Sequence, residues 1–106
     1  MVKRRKTTQG LARYLRKHFP TKKPVRVTIC ETEMDTTGLP FQKEFGETID
    51  EGKYFVIKIN KDDPPRIQRD TLMHEWAHCV VDWTSRSDHS NKWALAYARI
   101  YRKVEE

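Results

Sequence analysis

The chain predicts a single α+β domain. Three patterns carry that prediction: an amphipathic helical stripe near the start, strands of alternating or near-continuous apolar residues in the middle, and two further helices that fill the second half. Its 106 residues suit one domain, residues 1–106, around one core. Hydrophobic residues make up 37% of the chain and charged residues 34%, so the expected core is thin, with three Trp, four Tyr and four Phe supplying most of its bulk.

Thr7 or Thr8 is placed to cap a first helix reaching about residue 19. Leu11, Tyr14, Leu15, His18 and Phe19 share its apolar stripe, which gives His18 a structural role, and Pro20 ends it. Val25, Val27 and Ile29 alternate with Arg26, Thr28 and Cys30 as in a half-buried strand. A loop with Asp35, Gly38 and Pro40 follows, then a weaker extended stretch over 41–49. The turn Asp50-Glu51-Gly52-Lys53 leads into the strongest strand, 54–60, and predicts a hairpin. A small, mostly antiparallel sheet of about three strands is expected.

Asp62, Asp63, Pro64 and Pro65 predict a helix start, an acidic cap followed by proline in the first turn. That helix is expected to reach about residue 83. Ile67, Thr71, His74, Ala77, His78 and Val81 line one side and Leu72, Trp76, Cys79, Val80 and Trp83 another, so it should lie between the sheet and the other helices. After a loop at 84–87, a last helix over about 90–104 buries Trp93, Tyr97, Ile100 and Val104.

Net charge is +6, and every Lys or Arg from Lys3 to Arg26 precedes the first acidic residue, Glu31. Residues 1–6 read as a flexible basic terminus. A concentrated positive field suits nucleic acid or an acidic partner, although nothing in it reads bases. Cys30 and Cys79 are far apart with no CxxC, which excludes a multi-disulfide scaffold and a four-cysteine zinc module. Spacing leaves a single Cys30–Cys79 disulfide open, but two reduced thiols in an intracellular protein are the favoured reading, and the expected compartment is the cytoplasm. No apolar run is long enough to span a bilayer, and the basic start lacks the apolar stretch of a signal peptide.

The centre of the second helix reads His74-Glu75-Trp76-Ala77-His78, an HExxH motif. Residues four apart on a helix share a face and stand about 6 Å apart along the axis, so two imidazoles can converge on one tetrahedral zinc ion. Glu75, rotated about 100° from His74, need not bind the ion and can act on its water as general base. A third ligand is needed. Asp82 lies about 12 Å along the axis from His74, too far for one ion to bridge. His89, at the entrance to the last helix, is the leading candidate, with Asp88 beside it as the alternative. Tyr97 and Tyr101, one turn apart, can place a phenol near a tetrahedral oxyanion, though packing is the commoner use of such a pair.

HEWAH, a short linker and then His89-Ser90-Asn91-Lys92-Trp93, with an aromatic four residues after the third His, resembles the SprT-like (Spartan-type) zinc metallopeptidases of the zincin superfamily. The order helix, sheet, HExxH helix, final helix fits across most of the chain. That resemblance implies a minimal zincin-like fold, one zinc ion held by His74, His78 and His89, and Glu75 as catalytic acid/base. It implies a protein or peptide substrate paired with an edge strand, here expected at 54–60, and an association with DNA-bound proteins. From other classes come two alternatives: a basic nucleic-acid-binding module with structural zinc, and a non-catalytic interaction protein with a vestigial site.

Overall fold

The structure, a computed structural model, describes residues 7–30, 46–81 and 91–105. Helix α1 (Thr8–His18) starts where Thr7, in extended conformation, accepts the Gly10 N–H on its hydroxyl at 2.9 Å, satisfying one of the first-turn donors. Arg16, Lys17 and His18 stand in the last turn beside the negative end of the helix. Leu11, Ala12 and Leu15 are its fully buried face. His18 itself is exposed, with its ring 4.3 Å from that of Tyr14, and takes no part in the site.

Strands β1 (Val25–Cys30), β2 (Gly46–Asp50) and β3 (Phe55–Asn60) form one sheet in the order β1-β3-β2. The hairpin is present: β2 runs antiparallel to β3, with Gly46 opposite Ile59 and Asp50 opposite Phe55. Gly52 turns the corner at φ 94°, and Asp50 accepts its N–H at 2.8 Å and the Lys23 ammonium at 2.6 Å. That ammonium holds the exposed Asp50 carboxyl below its ordinary range.

The sheet differs from the expectation in two respects. β1 runs parallel to β3, Val25 opposite Phe55, so the sheet is mixed, with one parallel and one antiparallel pair. And 54–60 is not an edge: β3 is the central strand, and β2 lies at the edge among the described residues. The reason is the same for both. A tight turn dictates antiparallel pairing locally, whereas strand order and the direction of β1 depend on long-range pairing that alternation along one strand does not encode. The burial agrees, because Phe55, Ile57 and Ile59 are inaccessible while Ile29 of β1 is 38% exposed.

Helix α2 (Pro65–Val80) has Pro64 as its N-cap and no capping side chain, so the acidic cap expected of Asp62 or Asp63 is absent. Asn60 organises the approach instead, its side-chain oxygen accepting the Asp62 N–H at 2.9 Å. The Gln68 side-chain amide reaches back to the carbonyls of Asn60, Lys61 and Asp63, and Gln68 Oε1 accepts the Thr8 hydroxyl at 2.8 Å. As its two-sided apolar pattern predicts, α2 touches β2, β3, α1 and α3 (Asn91–Glu105). The sequence predicts that α2 reaches about residue 83, but residues 82–90 lie outside the described residues, as do 1–6. Trp76 is fully buried, its indole N–H donating to the Phe19 carbonyl at 3.0 Å.

Trp76 and Phe55 are the only fully buried aromatics among the described residues, and the rest of the fully buried core is mainly aliphatic. The expectation of a core built mainly from aromatics is corrected accordingly. Tyr14, Phe19, Trp93 and Tyr97 pack on the core only in part, and the last two instead enclose the histidines. No helix among the described residues is long and apolar enough to cross a membrane.

Candidate metal centre

His74, Glu75 and His78 stand mid-helix on α2, one turn separating the two imidazoles. His78 is buried at 7% exposure, and His74 and Glu75 are half-buried. The two ring centroids are 5.4 Å apart and the ring planes nearly perpendicular, at 72°. With ring nitrogens about 2 Å from a shared tetrahedral ion, two imidazole centroids come to stand roughly 5 Å apart. The separation and the borderline-soft nitrogen donors are compatible with zinc, and the pair could supply two of the three protein ligands that a catalytic zinc site requires.

The wall behind the histidines comes from α3. Trp93 stacks on His78 at 5.4 Å and 28°, meets His74 edge to face at 4.8 Å, and donates its indole N–H to the His74 carbonyl at 3.2 Å. Tyr97 stacks on Trp93 at 5.3 Å and faces His74 at 5.9 Å. Later residues of α3 thus meet earlier residues of α2, and the two helices run antiparallel. Tyr97 therefore packs beside His74 and Trp93. Burial first, then the charge of Asp70 and that of Tyr101 when ionised, raise the Tyr97 pKa above the ordinary tyrosine value, so its phenol remains a donor into still more alkaline solution. Tyr101 packs edge to face on Tyr97 at 6.3 Å and is 46% exposed.

Glu75 is held from the sheet. The Thr48 hydroxyl, on β2, donates to Glu75 Oε1 at 2.6 Å. Gly46, on the same face of β2, lets the strand come that close. A Cβ there would stand 2.6 Å from Thr71 Cγ2 and 2.7 Å from the Lys58 carbonyl oxygen. Neither Thr48 nor Gly46 stood out in the sequence. A glycine inside an otherwise extended stretch is the one signal that marks such an approach.

Among the described residues no group of three or more His, Cys, Asp or Glu is arranged to hold a metal ion. His89, Asp88 and Asp82 lie outside the described residues. Cys30 and Cys79 are both free thiols. Burial, then the nearby charges of Glu75 and Asp50, push the Cys79 thiol from 9.0 up to about 12. In the unfolded chain it ionises near 9.0, so its contribution to stability is complete below that pH and is lost as pH rises towards about 12. Denaturant midpoints measured between pH 8 and 11 should fall above pH 9 by an amount equivalent to roughly 1.4 kcal/mol per pH unit, and Cys79→Ala should flatten that limb. An equally steep fall in the variant would assign it to other groups.

No family model, no curated protein and no solved structure matches the chain.

Proposed function

We propose that this chain is a zinc-dependent metallopeptidase of the SprT-like kind, hydrolysing peptide bonds with Glu75 as general base. The observation that carries this is the 5.4 Å separation of the His74 and His78 rings on consecutive turns, close to what one shared tetrahedral ion demands. His74 and His78 would hold the ion with His89, or with Asp88 in its place. Trp93, four residues after His89 in the chain, lies against both imidazoles, which favours an approach from that side. When bound, zinc supplies a Lewis acid and a water acidic enough to be deprotonated near neutral pH. Glu75 takes a proton from the attacking water as its oxygen bonds to the scissile carbonyl carbon, and delivers a proton to the amine nitrogen as the C–N bond breaks. Trp93 and the packed face of α3 exclude water from one side of the imidazole pair.

β2 replaces 54–60 as the strand that meets an extended substrate. Its outer edge has no strand beside it among the described residues, and its inner face carries Thr48 against Glu75. Main-chain pairing there would be tolerant of substrate sequence, as suits a protein or peptide substrate. Two free thiols suit a reducing compartment such as the cytoplasm.

One observation favours the alternative of a basic nucleic-acid-binding module. The described stretch 7–30 contains no Asp or Glu, and Arg13, Arg16, Lys17 and Lys22 are all exposed on α1 and the turn after it. A basic surface there is also compatible with the peptidase reading, since a polyanion held on it would bring DNA-bound proteins to the site; only the role of the zinc separates the two. Zinc analysis alongside casein cleavage tests them together. Wild type should carry one zinc per chain and cleave casein, and His89→Ala should lose most of the metal. Full zinc in His89→Ala with loss in Asp88→Ala would move the third ligand one residue. Stoichiometric zinc without cleavage, together with salt-sensitive nucleic-acid binding unaffected by Glu75→Gln, would favour the binding module.

A further inference from the structure

β2 meets α2 at two points of matching spacing. Gly46 and Thr48 are two apart on the strand and so face the same way, while Thr71 and Glu75 are four apart on the helix and share its face. The two repeats nearly coincide, at about 6.8 Å for two strand residues and about 6 Å for four helical ones. The close approach of Gly46 to Thr71 therefore brings Thr48 level with Glu75, where the hydroxyl donates to Oε1 at 2.6 Å. Thr48 is itself buried at 9% exposure. Its β-branched side chain has few rotamers to choose from, so the hydroxyl is held in place rather than borrowed from a mobile group.

Resting on the peptidase reading above, we infer that Thr48 is a positioning residue: its hydroxyl fixes the Glu75 carboxylate in the orientation that general-base chemistry uses, with Gly46 setting the strand's distance from the helix. A glutamate on a helix surface samples several rotamers, and only a carboxylate aimed at the reacting water transfers its proton well. A charge-assisted O–H···O⁻ bond of this length selects one of them. Because the strand that holds Thr48 is also the edge offered to an extended substrate, the base and the scissile bond would be registered by one element.

The test compares Thr48→Val, which keeps the shape and removes the hydroxyl, with Thr48→Ser, which keeps the hydroxyl. Zinc content, kcat and KM are measured, together with the ¹³C resonance of the Glu75 side-chain carboxyl, assigned by its loss in Glu75→Gln. Thr48→Val should retain zinc and KM, lower kcat about tenfold to a hundredfold and shift the Glu75 resonance, and Thr48→Ser should return kcat to within about threefold of wild type. Wild-type kcat in Thr48→Val would overturn the inference. So would equal losses in both variants, which would make the effect one of packing. An active Glu75→Gln would reject the general-base role of Glu75 instead, and a zinc-loaded wild type that cleaves no peptide would reject the peptidase reading. The carboxyl resonance then decides alone whether Thr48 orders Glu75, and no shift in Thr48→Val would mean that it does not.

Discussion

Glu75→Gln should lower peptide hydrolysis by about a thousandfold or more while zinc remains bound at the wild-type ratio. Glutamine has the same shape, and its carbonyl oxygen can still accept the Thr48 hydroxyl that now reaches Glu75 Oε1, so the local structure has no reason to change. What the amide lacks is a basic oxygen. Positioned acid–base groups contribute about 10² to 10⁴ in rate, and on the proposed mechanism one residue would serve both proton transfers, so the upper part of that range applies. Zinc by elemental analysis and turnover of a quenched peptide check the two halves separately. Retained turnover would remove Glu75 from its role, and lost zinc would make the variant uninformative about proton transfer and direct attention to folding of α2.

The second large effect concerns stability. Gly46→Ala should destabilise the protein by about 3 kcal/mol, a fall in Tm on the order of 12–20 °C for a domain of this size. The added methyl would lie 2.7 Å from the Lys58 carbonyl oxygen, which is backbone in the central strand, and 2.6 Å from Thr71 Cγ2. β2 would have to move away from α2 or slip its register with β3, and either change separates Thr48 from Glu75. Gly52→Ala provides the comparison. Its cost is backbone strain at φ 94° with open space around it, about 1 kcal/mol. Thermal melts of the two variants should differ clearly, with only Gly46→Ala also losing turnover beyond what unfolding explains. Equal melts would mean that the strand adjusts without strain.

Much of the fold was legible because much of it is local. Thr7 as cap, Pro20 as terminator, the hairpin across Gly52 and the entry of α2 at proline follow from backbone preferences within a few residues. The HExxH pair was legible for the same reason, since four residues of helix determine where both rings stand. Strand order was not legible, because β1 finds β3 across a gap in sequence and its alternation is the same whether its partner runs up or down. Nor was the Thr48–Glu75 bond. It depends on how one face of a hairpin docks on a helix, and threonine in an edge strand is ordinary. The missing cap on α2 has a simple cause: Pro64, which has no side-chain acceptor, occupies the position, while Asn60 and Gln68 order the turn that leads into the helix.

The parts of the centre differ in how far along the chain they are assembled. The imidazoles need only a turn of helix, whereas the carboxylate takes its bearing from a strand 27 residues earlier and the indole reaches the His74 backbone from 19 residues later. Local opening that frees the hairpin or α3 but spares α2 would leave the nitrogen donors in place and set the base adrift. Loss of proton transfer would then precede loss of donor spacing as the fold loosens.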